Sequence, residues 1–353
     1  MTCAPSAREA QHSAIQVRPI FARKQKTLLM SMTPEQARWF ADTFDKLVQS
    51  VGQAVLGKNN VVRLVLTAMM APGHVLLEDA PGTGKTSLAR SIAATVQGTS
   101  TRIQFTPDLL PSDVTGVTIY DQNTKSFEFH KGPVFANVVL ADEINRASPK
   151  TQSAMLEVME EGRVTVDGVT HEVGNPFMVI ATQNPIEQAG TYRLPEAQLD
   201  RFMMKTSLGY PDHASSVQIL QGSALRDRSR QLSPRISLQA VNDMTQLAST
   251  VHVDPAVLEY VSRLMEETRL APEVRVGVSI RGALALMRAV KVWAAVHGRH
   301  YVIPDDVKEL VDVVWLHRFV LDPEAEFAGT TAKTVMDKIL SEVAPPQARQ
   351  QTA

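Results

Sequence analysis

Glycine, lysine and threonine occur together in one short segment, Asp79-Ala80-Pro81-Gly82-Thr83-Gly84-Lys85-Thr86. Glycines allow backbone N–H groups to approach a polyphosphate, and a helix that begins here directs the positive end of its dipole at the same charge. A lysine at this spacing reaches the β- and γ-phosphates, and a threonine hydroxyl is a ligand for Mg²⁺. The segment therefore predicts a phosphate-binding loop, although the strict pattern begins with glycine where this chain has Asp79.

A second segment ends an apolar run with two carboxylates, Val138-Val139-Leu140-Ala141-Asp142-Glu143. A buried strand that ends in this pair would bring Asp142 to the Mg²⁺ shell. It would also place Glu143 beside a water that attacks the γ-phosphate in line. Either acid alone could instead cap the helix that follows. Together with the phosphate loop, the pair favours hydrolysis over phosphoryl transfer to a substrate.

Two more polar positions follow further along the chain. Asn184 ends a third apolar run, where its amide can position the attacking water, and an Asx-turn before Pro185 is compatible with that role. Arg201 has two interpretations. It could pair with Asp200 or Glu196 within one chain, or it could stabilise the transition-state charge at a neighbouring subunit's γ-phosphate. The spacing alone does not decide between them.

The elements that must position these residues alternate between strand and helix in the first two thirds of the chain. Apolar runs at 74–78, 134–141 and 177–181 predict strands, and helical patterns at 87–97 and 148–161 lie between them. This alternation predicts a mainly parallel α/β sheet. Beyond residue 211 we find helical patterns and no strand-like run of comparable quality, which predicts a smaller, all-helical second domain. Thr33-Pro34-Glu35-Gln36 predicts the start of an earlier helix.

Composition excludes several classes of protein. With 353 residues, the chain has room for about two domains. Its 36 Lys+Arg against 37 Asp+Glu leave a net charge of −1, which argues against nucleic-acid binding by bulk charge. The single Cys3 excludes an internal disulfide framework and suits a reducing compartment. The histidines do not cluster at ligand spacings, so we expect no metal site built by the protein alone. No stretch reaches the ~20 uninterrupted apolar residues of a membrane span.

The motifs PGTGKT, VVLADE, ATQN, LDRF and SIRG, in this order, resemble those of AAA+ ATPases. The segments between the motifs resemble the MoxR family more narrowly, and the resemblance covers roughly residues 32–320. These segments are 73–79, 104–113, 132–135, 141–152 and 195–202. An acidic residue at position 79 is frequent in that family, so Asp79 does not weaken the prediction of ATP binding. Arg193 departs from the family, where proline is usual, and we assign it no role.

The resemblance implies a P-loop NTPase core, with a parallel sheet sandwiched by helices, and a C-terminal all-helical lid. We expect the core at 33–210, the lid at 211–330, and a C-terminal helix and tail at 331–353. Residues 1–32 are expected to be a disordered basic tail or to precede the true start. The helix-2 insertion of this clade is expected at about 106–131, where two apolar runs independently predict a hairpin. A second hairpin is expected at 162–173, and both would project toward a ring pore or partner.

The resemblance also assigns roles to individual residues. Arg201 matches the arginine finger, and Arg281 matches the second sensor arginine, acting on its own or a neighbour's nucleotide. Val55, Gly57 and Lys58 match the loop that packs on adenine. The expected catalytic residues are Lys85, Glu143, Asn184, Arg201 and Arg281, and the expected Mg²⁺ ligands are Thr86 and Asp142. The expected nucleotide contacts are Val55, Gly57, Lys58, Asp79, Ala80, Pro81, Gly82, Thr83, Gly84, Lys85, Thr86 and Ser87.

The implied activity is Mg²⁺-dependent ATP hydrolysis by a cytoplasmic homo-oligomeric ring, expected to be a hexamer. As the family implies, it would remodel or mature proteins with von Willebrand factor A domains and assist their metal-cofactor loading. Three alternatives remain open: a chelatase-type motor subunit, a nucleic-acid motor and an ATP-gated scaffold without turnover. The expected hairpin tips, 121–125 and 167–168, are poor in the basic and aromatic residues that a polyanion requires. Intact Glu143, Asn184 and Arg201 argue against the scaffold.

Overall fold

The computed structural model describes residues 31–184, 191–192, 194–222 and 227–346. The chain divides into a short unit, Met1–Met30, and one compact unit, Ser31–Ala353, to which the following description applies. Five regions treated in the sequence analysis lie outside the described residues: the basic segment 1–30, the stretch 185–190 with the expected Asx-turn at Pro185, Arg193, residues 223–226 of the expected lid, and the end of the tail at 347–353.

Helices occur along the whole described chain. In order they are α1 (Pro34–Gly52), α2 (Asn59–Met70), α3 (Lys85–Thr95), α4 (Pro111–Thr115), α5 (Pro149–Glu161), α6 (Glu196–Leu199), α7 (His213–Gln221), α8 (Leu238–Ser249), α9 (Pro255–Leu270), α10 (Ile280–Val296), α11 (Pro304–Trp315), α12 (Pro323–Phe327) and α13 (Ala332–Glu342). The strands are β1 (Val75–Glu78), β2 (Ser100–Gln104), β3 (Gly116–Asp121), β4 (Ser126–Lys131), β5 (Val138–Asp142), β6 (Arg163–Val166), β7 (Val169–Glu172), β8 (Met178–Gln183), β9 (Met204–Thr206), β10 (Val274–Val276) and β11 (Val320–Leu321).

Five strands form a parallel sheet in the order β2–β5–β8–β1–β9. Successive side chains of a strand point to opposite faces, and the inner strands are apolar on both. In β1, Val75 and Leu77 therefore join one hydrophobic cluster, whereas Leu76 joins the other. Helices α2 and α3 pack on the first face and α5 on the second. The parallel α/β sheet flanked by helices is confirmed.

The first helix begins as its sequence predicts. The Thr33 hydroxyl accepts a hydrogen bond from the backbone N–H of Gln36, and the Gln36 side chain accepts one from the backbone N–H of Thr33. This capping box satisfies two N–H groups that a helix start leaves unpaired. The buried side of α1 carries Phe40 and Phe44, which belong to the larger hydrophobic cluster. That cluster continues through α2 into α8, α9, α10, α11 and α13, so the C-terminal helices share one core with the N-terminal ones.

The C-terminal region is helical as expected, with one addition. Strands β10 and β11 form a small antiparallel ladder. They have only three and two residues, too few to show an alternating pattern in the sequence. Strand β5 begins at Val138 rather than at 134, because Phe135 donates to the carbonyl of Gly132 and forms a turn first. Within the described residues, no helix is both long and apolar enough to cross a membrane.

Both expected hairpins are present. Strands β3 and β4 pair antiparallel, as do β6 and β7. The ring of Phe129 on β4 stacks on His171 of β7, with 4.1 Å between the ring centroids. The two hairpins therefore contact each other.

Candidate active site

The predicted phosphate loop lies between the end of β1 and the start of α3. Gly82 and Gly84 have φ angles of 83° and 98°, in the left-handed region that glycine adopts without strain. A Cβ placed on either glycine would have no heavy atom within 4 Å outside its chain neighbours, so this side of the loop is open. Thr86 and Ser87 lie in the first turn of α3, where backbone N–H groups lack helical partners. The arrangement is that of an anion-binding helix start.

The Lys85 ammonium lies against the loop to which it belongs. Its Nζ donates to the carbonyl oxygens of Asp79 and Ala80, over 3.3 and 3.2 Å. Both acceptors are neutral backbone groups near the upper limit of hydrogen-bond length. A phosphate oxygen, which is charged, would be the stronger acceptor for this lysine.

The side chain of Asp79 is bonded within the protein. It is 4% exposed, and its carboxylate accepts hydrogen bonds from the backbone N–H groups of Leu208 and Gly209, both over 2.7 Å. The Ser207 hydroxyl donates a third bond over 3.3 Å. The Asp79 side chain thus fastens the phosphate loop to the segment after β9. The expected contact of Asp79 with the nucleotide stays a prediction, and the backbone of Asp79 would make that contact.

The same segment after β9 reaches the loop expected to contact adenine. Lys58 Nζ donates to the carbonyl oxygen of Tyr210 over 2.6 Å. Gly57 lies next to Ser215 at the start of α7, while Val55 is 5% exposed in the larger hydrophobic cluster. Residues 207–210 therefore connect the phosphate loop with Lys58, whereas Gly57 contacts the start of α7. The adenine contact itself stays a prediction.

Asp142 ends strand β5, and both of its carboxylate oxygens have partners. Oδ2 accepts from Nε and Nη2 of Arg102 on β2, over 3.1 and 2.6 Å. Oδ1 accepts from the hydroxyl of Thr182 on β8, over 2.6 Å. The structure thus places the predicted Mg²⁺ ligand between two neighbouring strands, with an arginine bound to one oxygen.

Glu143 has an unusual backbone conformation. Its φ angle is 57°, a left-handed value that costs a non-glycine residue about 1 kcal/mol or more. Its backbone N–H donates to the Thr182 hydroxyl over 2.8 Å, which helps to hold that conformation. The carboxylate accepts from Gln104 Nε2 over 2.8 Å and from Arg146 Nη1 over 3.0 Å. The strained residue is the one that the sequence predicts to activate water.

Asn184 directly follows β8 and is 7% exposed. The backbone N–H of Asp79 donates to the carbonyl oxygen of Gln183 over 3.1 Å, which places Asn184 beside the phosphate loop. The strands β1, β5 and β8 are parallel, so their carboxyl ends share one edge of the sheet. The structure therefore brings the phosphate loop, Asp142, Glu143 and Asn184 together at that edge.

Arg201 and Arg281 lie at the opposite edge of the sheet. Arg201 precedes β9, and Met203 donates to the carbonyl oxygen of His74 at the start of β1. The length of β1, about 13 Å for four residues, separates this edge from the phosphate loop.

Arg201 does not pair with Asp200 or Glu196. Its ion pair is with Glu160 on α5, over 3.3 Å, and Arg281 contacts the same carboxylate over 2.6 Å.

A cavity of about 250 Å³ opens around these arginines. Its lining includes Arg201, Arg281, Arg288, Arg318, Glu160 and Asp200. His74 also lines it, and burial lowers the pKa of this histidine to about 4. The His74 Nδ1 accepts from the backbone N–H of Val179, so Nε2 carries the proton and donates to the carbonyl oxygen of Met159. The imidazole is therefore neutral near pH 7, and the charge in the cavity comes from the arginines and acids.

Several of these residues escaped the sequence analysis. Thr182 lies inside the ATQN motif, but the sequence does not show which groups its hydroxyl binds. Arg102 belongs to the exposed side of β2 and looks like an ordinary surface arginine. Glu160 is one of three glutamates near the end of α5, and only the fold reveals that it faces two arginines.

Comparison with known proteins agrees with this arrangement. The profile of the ATPase family associated with various cellular activities (AAA) matches residues 74–204, and the profile of the AAA lid domain matches residues 266–339. The uncharacterized protein YeaC of Bacillus subtilis is 47% identical over 304 residues, which cover 86% of this chain and 95% of that protein.

Two further relatives extend the comparison. Chaperone MoxR1 of Mycobacterium tuberculosis is 39% identical over 315 residues, covering 86% of this chain and 83% of the relative. The crystal structure of a protein from Cytophaga hutchinsonii, named as a candidate ATPase, matches with a TM-score of 0.83 and 37% identity. That match covers 89% of this chain and 98% of the other. The chain belongs to the MoxR family of AAA+ ATPases.

Proposed function

We propose that this chain hydrolyses ATP with Mg²⁺ at sites shared between subunits of a ring, which the family resemblance suggests is a hexamer. The observation that carries the proposal is the position of the predicted site residues at two opposite edges of one sheet. The phosphate loop, Asp142 and Glu143 lie at one edge, and Arg201 with Arg281 at the other. A complete site then needs the arginine edge of a second copy. Contacts between unlike edges are head-to-tail, the kind of contact that forms a ring when the rotation from one subunit to the next closes.

In the proposed reaction, Lys85 and the backbone N–H groups of the loop bind the β- and γ-phosphates. Glu143 accepts a proton from water while the water oxygen forms a bond to the γ-phosphorus. The bond from that phosphorus to the bridging oxygen breaks, and its electron pair leaves with ADP. Asn184 orients the water. Arg201 and Arg281 of the adjoining subunit stabilise the charge on the transferring group.

The residues near the loop suit Mg²⁺. The Thr86 hydroxyl and the Asp142 carboxylate are hard oxygen ligands, the type that Mg²⁺ prefers. Among the described residues, no group of three or more His, Cys, Asp or Glu side chains is arranged to hold a metal ion. Thr86 and Asp142 would therefore hold the ion together with phosphate oxygens and water. When bound, Mg²⁺ neutralises charge on the phosphates.

We further propose that hydrolysis drives chaperone-like remodelling of partner proteins. A relative named as a chaperone supports this role. The β3–β4 hairpin supports it too, because Phe127 is 74% exposed and its ring packs edge-on against the exposed Tyr120. An exposed aromatic pair of this kind suits an apolar surface of a partner protein. The proposed clients are proteins with von Willebrand factor A domains, including those that acquire a metal cofactor.

Glu143→Gln tests both parts of the proposal. The substitution keeps the size of the side chain and removes its capacity to accept a proton. We expect the variant to bind ATP and release no phosphate above background, whereas Glu161→Gln, next to Glu160 and paired with Arg163 on the exposed surface, retains activity. Normal turnover by Glu143→Gln would contradict the assignment of the base.

The blocked variant is also suited to capture a client. With ATP present, we expect Glu143→Gln to retain a von Willebrand factor A protein that the active chain releases. Recovery of DNA or of a porphyrin-metallating enzyme instead would favour one of the two motor alternatives.

A further inference from the structure

We propose that Glu160 is a positioning residue that holds Arg201 of the core and Arg281 of the lid as one unit, aimed at the neighbouring subunit's nucleotide. The inference rests on the shared site proposed above. It adds a residue that touches no substrate and acts through the two arginines.

The two carboxylate oxygens of Glu160 are divided between the two arginines. Oε2 lies 3.3 Å from Nη2 of Arg201, and Oε1 lies 2.6 Å from Nη2 of Arg281. A guanidinium has five N–H donors, so each arginine keeps donors for phosphate oxygens while it holds Glu160. The Glu160 carboxylate therefore fixes the positions of both guanidinium groups and leaves N–H donors on each of them to bind an anion.

The position of Glu160 makes it accessible to a second subunit. Its side chain is 39% exposed, and those of Arg201 and Arg281 are 29% and 49% exposed. Ion pairs at this exposure contribute at most about 1 kcal/mol to stability. Stability alone is therefore a weak reason for three charges to meet at this place, and placement of the arginines is the stronger one.

The neighbouring acid Asp200 mainly anchors the lid, although Arg281 Nε also lies 4.0 Å from its Oδ2. Asp200 Oδ1 accepts from Nε of Arg318 over 2.7 Å, and the Arg318 side chain is only 2% exposed. Asp200 Oδ2 accepts from Ser279, the N-cap of α10. These two contacts, of which the one with Arg318 is partly buried, fix the lid to the core. Arg281 lies at the start of α10, in the lid that Asp200 anchors. By binding both Arg281 and Arg201, Glu160 therefore fixes the position of Arg201 relative to that lid.

The charge around the cavity favours an anion. Its lining holds four guanidinium groups, on Arg201, Arg281, Arg288 and Arg318, against two carboxylates, on Glu160 and Asp200. The excess of two positive charges among these six residues matches the charge of a terminal phosphate. The neighbour's γ-phosphate would thus enter a site in which Arg201 and Arg281 are already held side by side. No free energy is then needed to bring these two side chains together during the reaction.

Steady-state kinetics of Glu160→Gln provide the first test. The amide keeps the size of the side chain but cannot attract two cations. We expect kcat to fall about 10-fold while KM for ATP changes less than about 2-fold, because the nucleotide is held by the other subunit's loop. The kcat of Glu160→Asp should lie between that of the unmodified protein and that of Glu160→Gln. Glu161→Gln serves as the matched control, with unchanged kcat.

A double-mutant cycle separates positioning from a structural role. Arg201→Ala alone should lower kcat about 10³-fold, and Glu160→Gln should add to it less than its own loss of about 10-fold, because only Arg281 is then left for Glu160 to position. Multiplying effects, or a loss of thermal stability without a change in kcat, would overturn the proposal.

Mixed rings show in which direction Glu160 acts. Glu160→Gln subunits keep an intact loop, and Lys85→Ala subunits keep intact arginines and Glu160. Mixing them should raise turnover per intact loop above that of Glu160→Gln alone, toward the unmodified value. If this mixture shows no recovery while Arg201→Ala with Lys85→Ala does, Glu160 is not a positioning residue and the shared site stands. If neither mixture recovers, the shared site fails and the inference fails with it.

Discussion

The hydroxyl of Thr182 donates a hydrogen bond to Oδ1 of Asp142 over 2.6 Å, and both side chains are buried. The same hydroxyl accepts from the backbone N–H of Glu143 over 2.8 Å. One threonine on β8 thus orients the proposed Mg²⁺ ligand and holds the proposed base in its left-handed conformation. The two acids of the site depend on a residue from the neighbouring strand.

Thr182→Val is expected to lower kcat for ATP hydrolysis by about 10- to 100-fold, since the methyl group can hold neither acid in place. Thr182→Ser keeps the hydroxyl and should retain most of the activity. Phosphate release at saturating ATP and Mg²⁺ measures both variants. Equal activity of the valine and serine variants would show that the hydroxyl does not position the acids.

Arg102→Ala is expected to lower the Mg²⁺ concentration required for half-maximal hydrolysis by several-fold. The guanidinium of Arg102 occupies Oδ2 of Asp142, and its positive charge opposes a second cation at the same carboxylate. A Mg²⁺ titration at fixed ATP measures the shift. Arg102→Lys should leave the requirement close to its original value, and a higher requirement in Arg102→Ala would contradict the prediction.

Asp79→Ala is expected to reduce the free energy of unfolding by about 3 kcal/mol, because one buried and one partly buried backbone N–H group lose their acceptor. Asp79→Asn keeps one acceptor oxygen and should lose about half as much. Urea unfolding without nucleotide measures this effect apart from ATP binding. Glu78→Gln breaks a partly exposed pair with Lys205 and should cost less than about 1 kcal/mol. An equally small cost for Asp79→Ala would exclude its anchoring role.

The protein is expected to lose stability as the pH falls from about 6.5 toward 4. Burial holds the pKa of His74 at about 4, below the ordinary value of 6.5, so the unfolded chain binds a proton in this window and the folded chain does not. The contribution of His74 to the free energy of unfolding is fully present above pH 6.5, and it declines by about 3 kcal/mol as the pH falls to 4. Burial also lowers the pKa of His317, with the same effect on stability.

Urea unfolding at several pH values, together with NMR titration of His74, tests this pH dependence. A His74 pKa near 6.5 in the folded protein would contradict it.

Features that depend on contiguous residues could be predicted from the sequence. The phosphate loop is one segment, the capping box of Thr33 and Gln36 spans four residues, and strands buried on both faces have distinct apolar runs. Features that depend on partners from distant segments could not. The sequence offered Asp200 and Glu196 as partners of Arg201, whereas the fold supplies Glu160 from α5. Likewise, an apolar run before Asn137 resembles a strand, but it follows Pro133 and forms a turn.

The edge of the sheet on which Arg281 lies was also beyond the sequence. A helix that begins with Ser279 and Arg281 is predicted correctly, yet its direction relative to the sheet depends on the core that α10 shares with α1 and α2. That packing, with the contact to Glu160, places Arg281 away from the phosphate loop of its own chain. It is the reason for proposing that the arginine acts on a neighbour.

The most direct test of the shared site is ATP hydrolysis by a mixture of two inactive variants. Lys85→Ala lacks the lysine of the phosphate loop, and Arg201→Ala lacks the finger at the opposite edge. Each alone should show almost no turnover. Combined before assembly, they form interfaces with an intact loop from one subunit and an intact arginine from the next, so turnover should return to a substantial fraction of the unmodified rate. Two variants that assemble together and remain as inactive as each does alone would contradict a site built from two subunits.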